Sequence, residues 1–595
     1  MIVIKRGTKL RIFKLLFFIL LAMQSVVYAK DANTTKHSIK IDGHTVFETQ
    51  RLQDVLSIDT GSVLTFWKDT LPTIDDKLLP TLEATLKSFY DSEGYYDATF
   101  KIDETDTTVT IDIDAKTPVR VQEINVSVDA NVTALIQLKK EDRFRAKAFI
   151  ETKQNMIKQL LNEGYCSYDL ETKAYVDLDK KRADLVYTLH KGEFCTFGEP
   201  NIVGLKSIDE KVIRSRVQAK KGERFDPKKV RETYTGIYSL NAFDSVQIAV
   251  DRKFYNVVPI DIKLSEVENA YHFEGGVGYD TYIGPRIHAS LIKKNFYGNA
   301  QQTGVRLSWS KKEQLAIGEY YKPALFLLAG YGIDFGTEFG YSNLEYRGFQ
   351  EDKGFAKAYV EHNEGRMKLR VGAALENIDI TASNNLKSYQ TLTQAVSEGN
   401  FLLLYPYMDV VYDTRDDKLN PKYGYYLSVA LEYGLDYKPN ATSYIKSLFE
   451  ARGIHTFDAL TLAAVAKVGV VDEKTHTLPE SKRFFAGGSY TNRAYGFNSI
   501  GVIASPRTDT IFGASTWLNL SLEADYPIVG NVYGAVFTDN TMLNDTSYDF
   551  RGEVISSAGL GIRYLTPIGP FKVDVGWNVN KPSEYGISFQ IGQSF

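Results

Sequence analysis

Cysteine is nearly absent from this chain, with only Cys166 and Cys195 in 595 residues. Two thiols cannot by themselves build a structural zinc site. The eight histidines are scattered, and no His-Glu-x-x-His pair occurs. The nearest approach to a nucleophile elbow, Gly487-Gly488-Ser489-Tyr490-Thr491, lacks its final glycine. No catalytic residue, metal site or cofactor is therefore expected. A net charge of −4 offers no basic excess for nucleic acid. Past the N-terminus there is no run of roughly 18 apolar residues, which removes the membrane-spanning helix. A chain lacking such helices can still cross a bilayer, but only as a closed barrel that satisfies its own backbone.

What is present begins with a basic cluster, Lys5, Arg6, Lys9, Arg11 and Lys14, ahead of an apolar stretch from Leu15 to Met23. Val27-Tyr28-Ala29 then supplies small residues at alternate positions, so residues 1–29 read as a cleaved secretory signal. Export implies an oxidising compartment. The cysteines flank an expected hairpin, strands at 175–179 and 183–189, whose turn at Lys180-Lys181 lies at their midpoint. A disulfide between Cys166 and Cys195, opposite one another at its open end, is expected.

Residues 37–267 carry a weak repeat. A strand (Ser38 to Gly43, Val119 to Val126, Phe197 to Gly204) is followed by helical sequence and then two strands. Glu93-Gly94-Tyr95 and Glu163-Gly164-Tyr165 mark the same helix stop in the first two copies. Each copy reads β-α-α-β-β, giving three α+β units at 37–117, 118–193 and 194–267.

From residue 268 to 595 two-residue periodicity takes over. Phe571, Val573, Val575 and Trp577 alternate with Lys572, Asp574, Gly576 and Asn578; Leu518, Leu520 and Leu522 alternate with Asn519, Ser521 and Glu523. Side chains on a strand point to opposite faces in turn, so each strand has an apolar and a polar face. Apolar outside and polar inside is the pattern of an outer-membrane barrel with a wet lumen, and the 38 tyrosines and 33 phenylalanines suit its aromatic girdles. At roughly 20 residues per strand and turn, about 16 antiparallel strands fit. The final strand carries Tyr585, Phe589 and the terminal Phe595 on one face.

Three barrel segments resemble the outer-membrane assembly superfamily, whose members join POTRA domains to a sixteen-stranded barrel. They are Tyr412-Asp413-Thr414-Arg415 leading to Pro421 and Gly424; Arg483, Phe484, Phe485, Gly487 and Gly488 leading to Arg493, Tyr495 and Gly496; and Leu522 to Pro527 with Gly534 to Asp539 and Thr566 to Pro570. Three repeats most resemble the TamA branch of the BamA/TamA group. The resemblance implies an assembly factor of the outer membrane, with its repeats in the periplasm and the lipid bilayer around its barrel. Client outer-membrane proteins and a TamB-like inner-membrane partner would be its other contacts, and a part in phospholipid transport is possible within the same family. It also implies that the loop from about Asp472 to Thr510 folds into the lumen, where Arg493 pairs with Glu523 and Asp539. The family's arginine-glycine-aromatic triplet is here Arg493-Ala494-Tyr495, which puts the local backbone path in question.

Glycines at 275, 276 and 278 of the first strand, and at 586 and 592 of the last, suggest a weakly packed seam between them. Client strands could pair there by β-augmentation. Phe595 resembles the signal by which such machinery recognises its own clients. The alternative is a two-partner secretion exporter, for which residues 30–36 leave too little room for the plugging helix.

Overall fold

The computed structural model describes residues 36–44, 46–59, 72–250, 256–280, 284–328, 331–382, 398–435, 443–474, 478–503, 511–566 and 569–591. The expected signal segment, Gly592 and Phe595 lie outside these residues. The chain forms two units, residues 1–195 and 196–595.

In the first unit, Lys36–His44 pairs in parallel with Thr108–Asp114, which pairs antiparallel with Thr99–Glu104. Helices α1 (Thr49–Val55) and α2 (Leu82–Ser92) cover this sheet. α2 turns Leu82, Leu86 and Tyr90, spaced by four, into a core with Val109, Ile111 and Ile113. A short strand, Thr73–Asp75, extends the sheet and was not anticipated from the sequence. The second repeat orders its strands Arg120–Val128, Arg182–His190, Asp169–Asp177. Its first helix is reduced to a three-residue turn, Thr133–Leu135, and α3 (Ala146–Asn162) is its one long helix.

Both Glu-Gly-Tyr triplets end a helix in the same way. Gly94 and Gly164 take φ of 89° and 83°. Tyr95 N–H then reaches back to the Tyr90 carbonyl, and Tyr165 N–H to that of Leu160. Left-handed backbone is open to glycine without penalty, and the back-reaching bonds satisfy carbonyls that the helix end would orphan.

Cys166 and Cys195 form a disulfide with Cα atoms 5.9 Å apart. They are not directly opposite, as the sequence midpoint implied. The hairpin pairs Asp169 with His190 and Tyr165 with Phe194, so its true centre lies one residue earlier and the bridge runs diagonally.

The second unit opens with a third repeat. Its strands are Thr196–Val203, Phe243–Val250 and Val257–Glu266, and its helices are α4 (Glu210–Arg214) and α5 (Pro227–Tyr238). Asp226 caps α5 by accepting from Lys228 N–H. Sixteen antiparallel strands follow and close into a barrel. They are β1 (Tyr271–Asp280), β2 (Gly284–Lys293), β3 (Gln302–Ser310), β4 (Glu313–Leu328), β5 (Tyr331–Glu345), β6 (Phe349–Glu364), β7 (Met367–Ala382) and β8 (Gly399–Asp413). The ring continues with β9 (Tyr423–Gly434), β10 (Tyr444–Phe457), β11 (Leu460–Glu473), β12 (Thr516–Val529), β13 (Val532–Asn544), β14 (Val554–Tyr564), β15 (Phe571–Asn578) and β16 (Tyr585–Ile591).

The third repeat is bolted to one end of this barrel. Arg216, itself buried, donates to both carboxylate oxygens of Asp334 at 2.6 and 2.7 Å, and Ala324 N–H donates to the same carboxylate. Ser207 of the repeat accepts from Asn295 in the β2–β3 turn at 2.8 Å.

Alternation places the apolar rows outside. Phe273, Val277, Leu560 and Ile562 are 58–70% exposed, whereas Lys572, Asp574 and Asn578 face inward and are buried. The expectation of a wholly wet lumen needs correcting. Toward the end away from the third repeat, β7 turns Ile378 and Ile380 inward and Asn377 and Asp379 outward. Its 16 residues span about 50 Å at 3.3 Å each, well beyond an apolar band of about 25 Å. Past the band the outer face meets water, and the inner face is free to be apolar. Phe349, Leu403, Tyr405, Tyr444 and Trp517 join Ile378 and Ile380 there in a buried cluster.

Candidate functional site

That cluster is filled by the loop joining β11 to β12, whose described residues 478–503 and 511–515 fold back into the barrel as a lid. It begins with a 3-10 turn at Glu480–Lys482 and then pairs with itself: Phe484 bridges Ala514, Ala486 bridges Ile500, and Gly488 bridges Asn492. Gly487 and Gly488 adopt φ of 105° and 93°, and a side chain on Gly487 would collide with the Gly496 carbonyl. This explains two of the motif glycines. Phe484 stacks on Trp517 at 5.6 Å and Phe485 packs against Tyr346 at 4.9 Å. The lid's tip carries Arg493, and the wall strands supply what it meets.

Arg493 is buried, and its guanidinium forks onto Asp539 of β13, with Nε and Nη2 each 2.9 Å from a carboxylate oxygen. Its own backbone N–H donates to Asp539 at 3.0 Å, and Nη1 donates to Glu523 of β12. Asp574 of β15 lies 3.7 Å away, and the guanidinium carbon sits 3.3 Å from the Phe537 ring centroid. Burial alone would lower the Arg493 pKa. The Asp539, Glu523 and Asp574 carboxylates outweigh burial and hold it above the ordinary arginine value. Forked pairing of this kind fixes orientation as well as charge.

The structure thus brings together all three residues expected to lock the loop. It adds Arg563 of β14, which donates to Glu523 at 2.9 Å and lies 2.6 Å from Asp574, and Lys572 of β15, 3.8 Å from Glu523. Both sit on the inward phase of strands whose outward residues are Leu560, Ile562 and Val573, so alternation could have found them. Ala494 takes no positive φ, and the methyl in place of glycine therefore strains nothing. Tyr495 reaches Asn578 of β15 through its hydroxyl.

A second foot escaped the sequence. Lys482 lies 3.0 Å from Glu376 of β7 and 2.9 Å from Glu432 of β9, over the Tyr405 ring at 4.2 Å. Burial would strip its proton, but the two carboxylates keep it well above the ordinary lysine range. Its neighbour Arg483 pairs with Glu473 and donates to Ser515 Oγ at 2.7 Å. The two feet stand on different arcs of the wall, β7 and β9 for one, β12, β13 and β15 for the other, so the lid braces the lumen across several strands.

At the proposed seam β1 and β16 pair antiparallel, with Asp280 opposite Ser588 in register. Its glycines have other duties. Gly276 leaves room for the His288 ring, and Gly275 lies in ordinary contact with Phe273. Gly278 pairs with Arg286 through its backbone. A Cβ on Gly586 would meet the lid backbone at Arg493 and Ala494. Tyr585 and Phe589 face outward, in line with the lipid-facing rows.

Residues 295–595 match the Omp85 superfamily domain, and residues 35–116 and 119–192 match the POTRA surface-antigen repeat. The chain is 19% identical over 570 residues to the outer membrane protein assembly factor BamA of Nitratidesulfovibrio vulgaris, across 91% of this chain and 70% of that one. It is 20% identical over 628 residues to BamA of Neisseria meningitidis serogroup B, across 94% and 78%. The crystal structure of Haemophilus ducreyi BamA lacking POTRA domains 1–3 covers 80% of this chain and 99% of its own, with a TM-score of 0.53 at 15% identity. That likeness is one of fold.

Proposed function

Since the chain belongs to the Omp85 superfamily, we propose that it assembles client proteins into the outer membrane, with its repeats in the periplasm and client strands entering sideways at the β1–β16 seam. The observation that carries this reading is a lumen already occupied by the lid, which stands on β7, β9, β12, β13 and β15. A plugged lumen disfavours passage straight through, and a strand edge opened at that junction would be a template for an incoming strand. β15 is also short, with eight residues where β4, β6 and β7 have 16. A shorter wall matches a thinner apolar layer and so lowers the barrier to insertion beside it.

The resemblance to the TamA branch extends the proposal to autotransporters among the clients, to a TamB-like partner at the first repeat, and to phospholipid movement. Depleting the protein and then taking an inventory of outer-membrane proteins and phospholipids tests it. Broad loss of barrel proteins or autotransporters is expected. An intact protein inventory with altered phospholipids would transfer the function to lipid transport, and loss of one secreted protein alone would favour the dedicated exporter.

A further inference from the structure

The first repeat meets the second around a cleft of about 430 Å³, whose wall carries Arg120, Arg143 and Arg145 against one carboxylate, Asp142. The joint itself is close. The Gly94 carbonyl accepts from Val119 N–H at 2.8 Å, and a Cβ on Gly94 would strike the Phe144 carbonyl oxygen. Arg120 stands directly opposite Arg143, with the ladder bonds from Phe144 N–H to the Val119 carbonyl and from Val121 N–H to the Asp142 carbonyl on either side. That is the narrow kind of antiparallel pair, in which side chains come closest. On its other edge Arg120 pairs with Arg182. Three arginines therefore share one rung and one face of the sheet, where like charges directly opposite destabilise. The nearby acids do not offset them. Buried Glu93 is shared between Arg51 and Arg143, and Asp97 pairs with Lys181. Asp177 stands 3.7 Å from Arg182 Nε, which has no hydrogen-bond partner among the described residues. Arg120 Nη1 donates to the Glu141 carbonyl at 2.8 Å, and exposed Arg145 has no ion pair among the described residues.

We propose that this cleft is a binding site for a phosphate group, held by Arg120 and Arg145, with Arg143 completing the wall. An anion seated over a repulsive rung relieves it, and guanidinium forks match phosphate oxygens in pairs. The three arginines and Asp142 leave the wall with a net charge of about +2, which a phosphate monoester, at about −1.5 to −2, nearly cancels. Two sources carry that group, a lipid headgroup and a small soluble phosphate compound. The site is independent of the seam and of the route that clients take.

The test is titration calorimetry on the full chain in maltoside micelles, which carry no phosphate, at constant ionic strength. The probes are glycerol 3-phosphate and dihexanoylphosphatidic acid, the same headgroup without and with acyl chains. Saturable binding is expected, weakened at least tenfold in Arg120→Gln with Arg145→Gln. Lys158→Gln, an exposed charge of α3 that is not on the cleft wall, is expected to leave it unchanged. Arg143 is kept, because it also holds Glu93. Binding of the lipid at least tenfold tighter than glycerol 3-phosphate, with the same arginine dependence, assigns the site to a lipid headgroup, and equal affinity assigns it to a soluble phosphate. No saturable binding of either probe, or binding that survives loss of both arginines, overturns the site. Tighter binding of hexaglutamate than of both phosphate probes overturns it as well. A second measurement needs no variant. Glycerol 3-phosphate should slow hydrogen exchange at 118–121 and 142–146 of the parent chain at least threefold, and unaltered exchange there overturns the site.

Discussion

Arg493→Ala removes the guanidinium from its carboxylates while leaving the lid's apolar packing in place. Glu523 keeps Arg563 at 2.9 Å and Lys572 at 3.8 Å. Asp539 is worse placed, because its described contacts are with Arg493, and it is only 1% exposed. Stranding one member of a buried pair costs about 3–5 kcal/mol. If the lower figure falls on the seated lid, its open fraction rises more than about a hundredfold, at 1.4 kcal/mol per tenfold. Exchange of the lid amides, where Ala486 N–H donates to the Ile500 carbonyl and Gly488 N–H to that of Tyr495, should accelerate by the same factor. The cause is separable from the loss of bulk. Arg493→Ala with Asp539→Asn no longer buries an unpaired charge and should recover part of the protection. Arg493→Lys, which keeps charge but loses the fork, should fall between. Unchanged lid exchange and unchanged heat-modifiable migration in Arg493→Ala would refute the lock.

Lys482→Met should loosen the other foot by about 1–3 kcal/mol, since Glu376 still accepts from the Tyr405 hydroxyl at 2.6 Å, with faster exchange at 478–486 than at the Arg493 end. Glu266 gives a pH dependence. Burial tends to raise its pKa, but the Ser207 hydroxyl and the N–H groups of Lys206, Ser207 and Ile208 overcome this and leave it below the usual 4.5. A depressed carboxylate contributes stability above its unfolded pKa and loses it as pH falls through the folded value. Exchange at 206–208 should therefore rise on acidification below about pH 4.5, and Glu266→Gln should flatten that response. Cys166→Ser with Cys195→Ser opens a loop of sequence separation 29 and should cost the first unit about 2–4 kcal/mol in thermal unfolding.

Periodicity made much of the fold readable. An amphipathic strand has to repeat every two residues, so Lys572, Asp574 and Glu523 declared their inward faces, and the glycine helix stops declared the repeats. Lys482 stayed hidden because a loop has no period, and its partners Glu376 and Glu432 lie 106 and 50 residues away in the chain. The apolar lumen stayed hidden for a related reason. Ile378 and Ile380 alternate as any strand would, and only the height of the membrane band decides that there the apolar face points in. Gly586 was legible as a glycine on the closing strand, but not as the register partner of Gly576 beneath the lid. That requires strand pairing and loop path together. The diagonal disulfide likewise depended on a turn centre that the sequence misplaces by one residue.

The most direct test of lateral assembly is to close the seam where it is paired. Asp280→Cys with Ser588→Cys, reconstituted in bilayers and oxidised, should cross-link β1 to β16 beside the parent chain carrying only its native cysteine pair. Folding of a barrel client, followed by its heat-modifiable migration, should be lost in the cross-linked protein and return on reduction, with the parent unaffected throughout. Client folding at the parent's rate by a fully cross-linked seam would exclude the β1–β16 junction as the route.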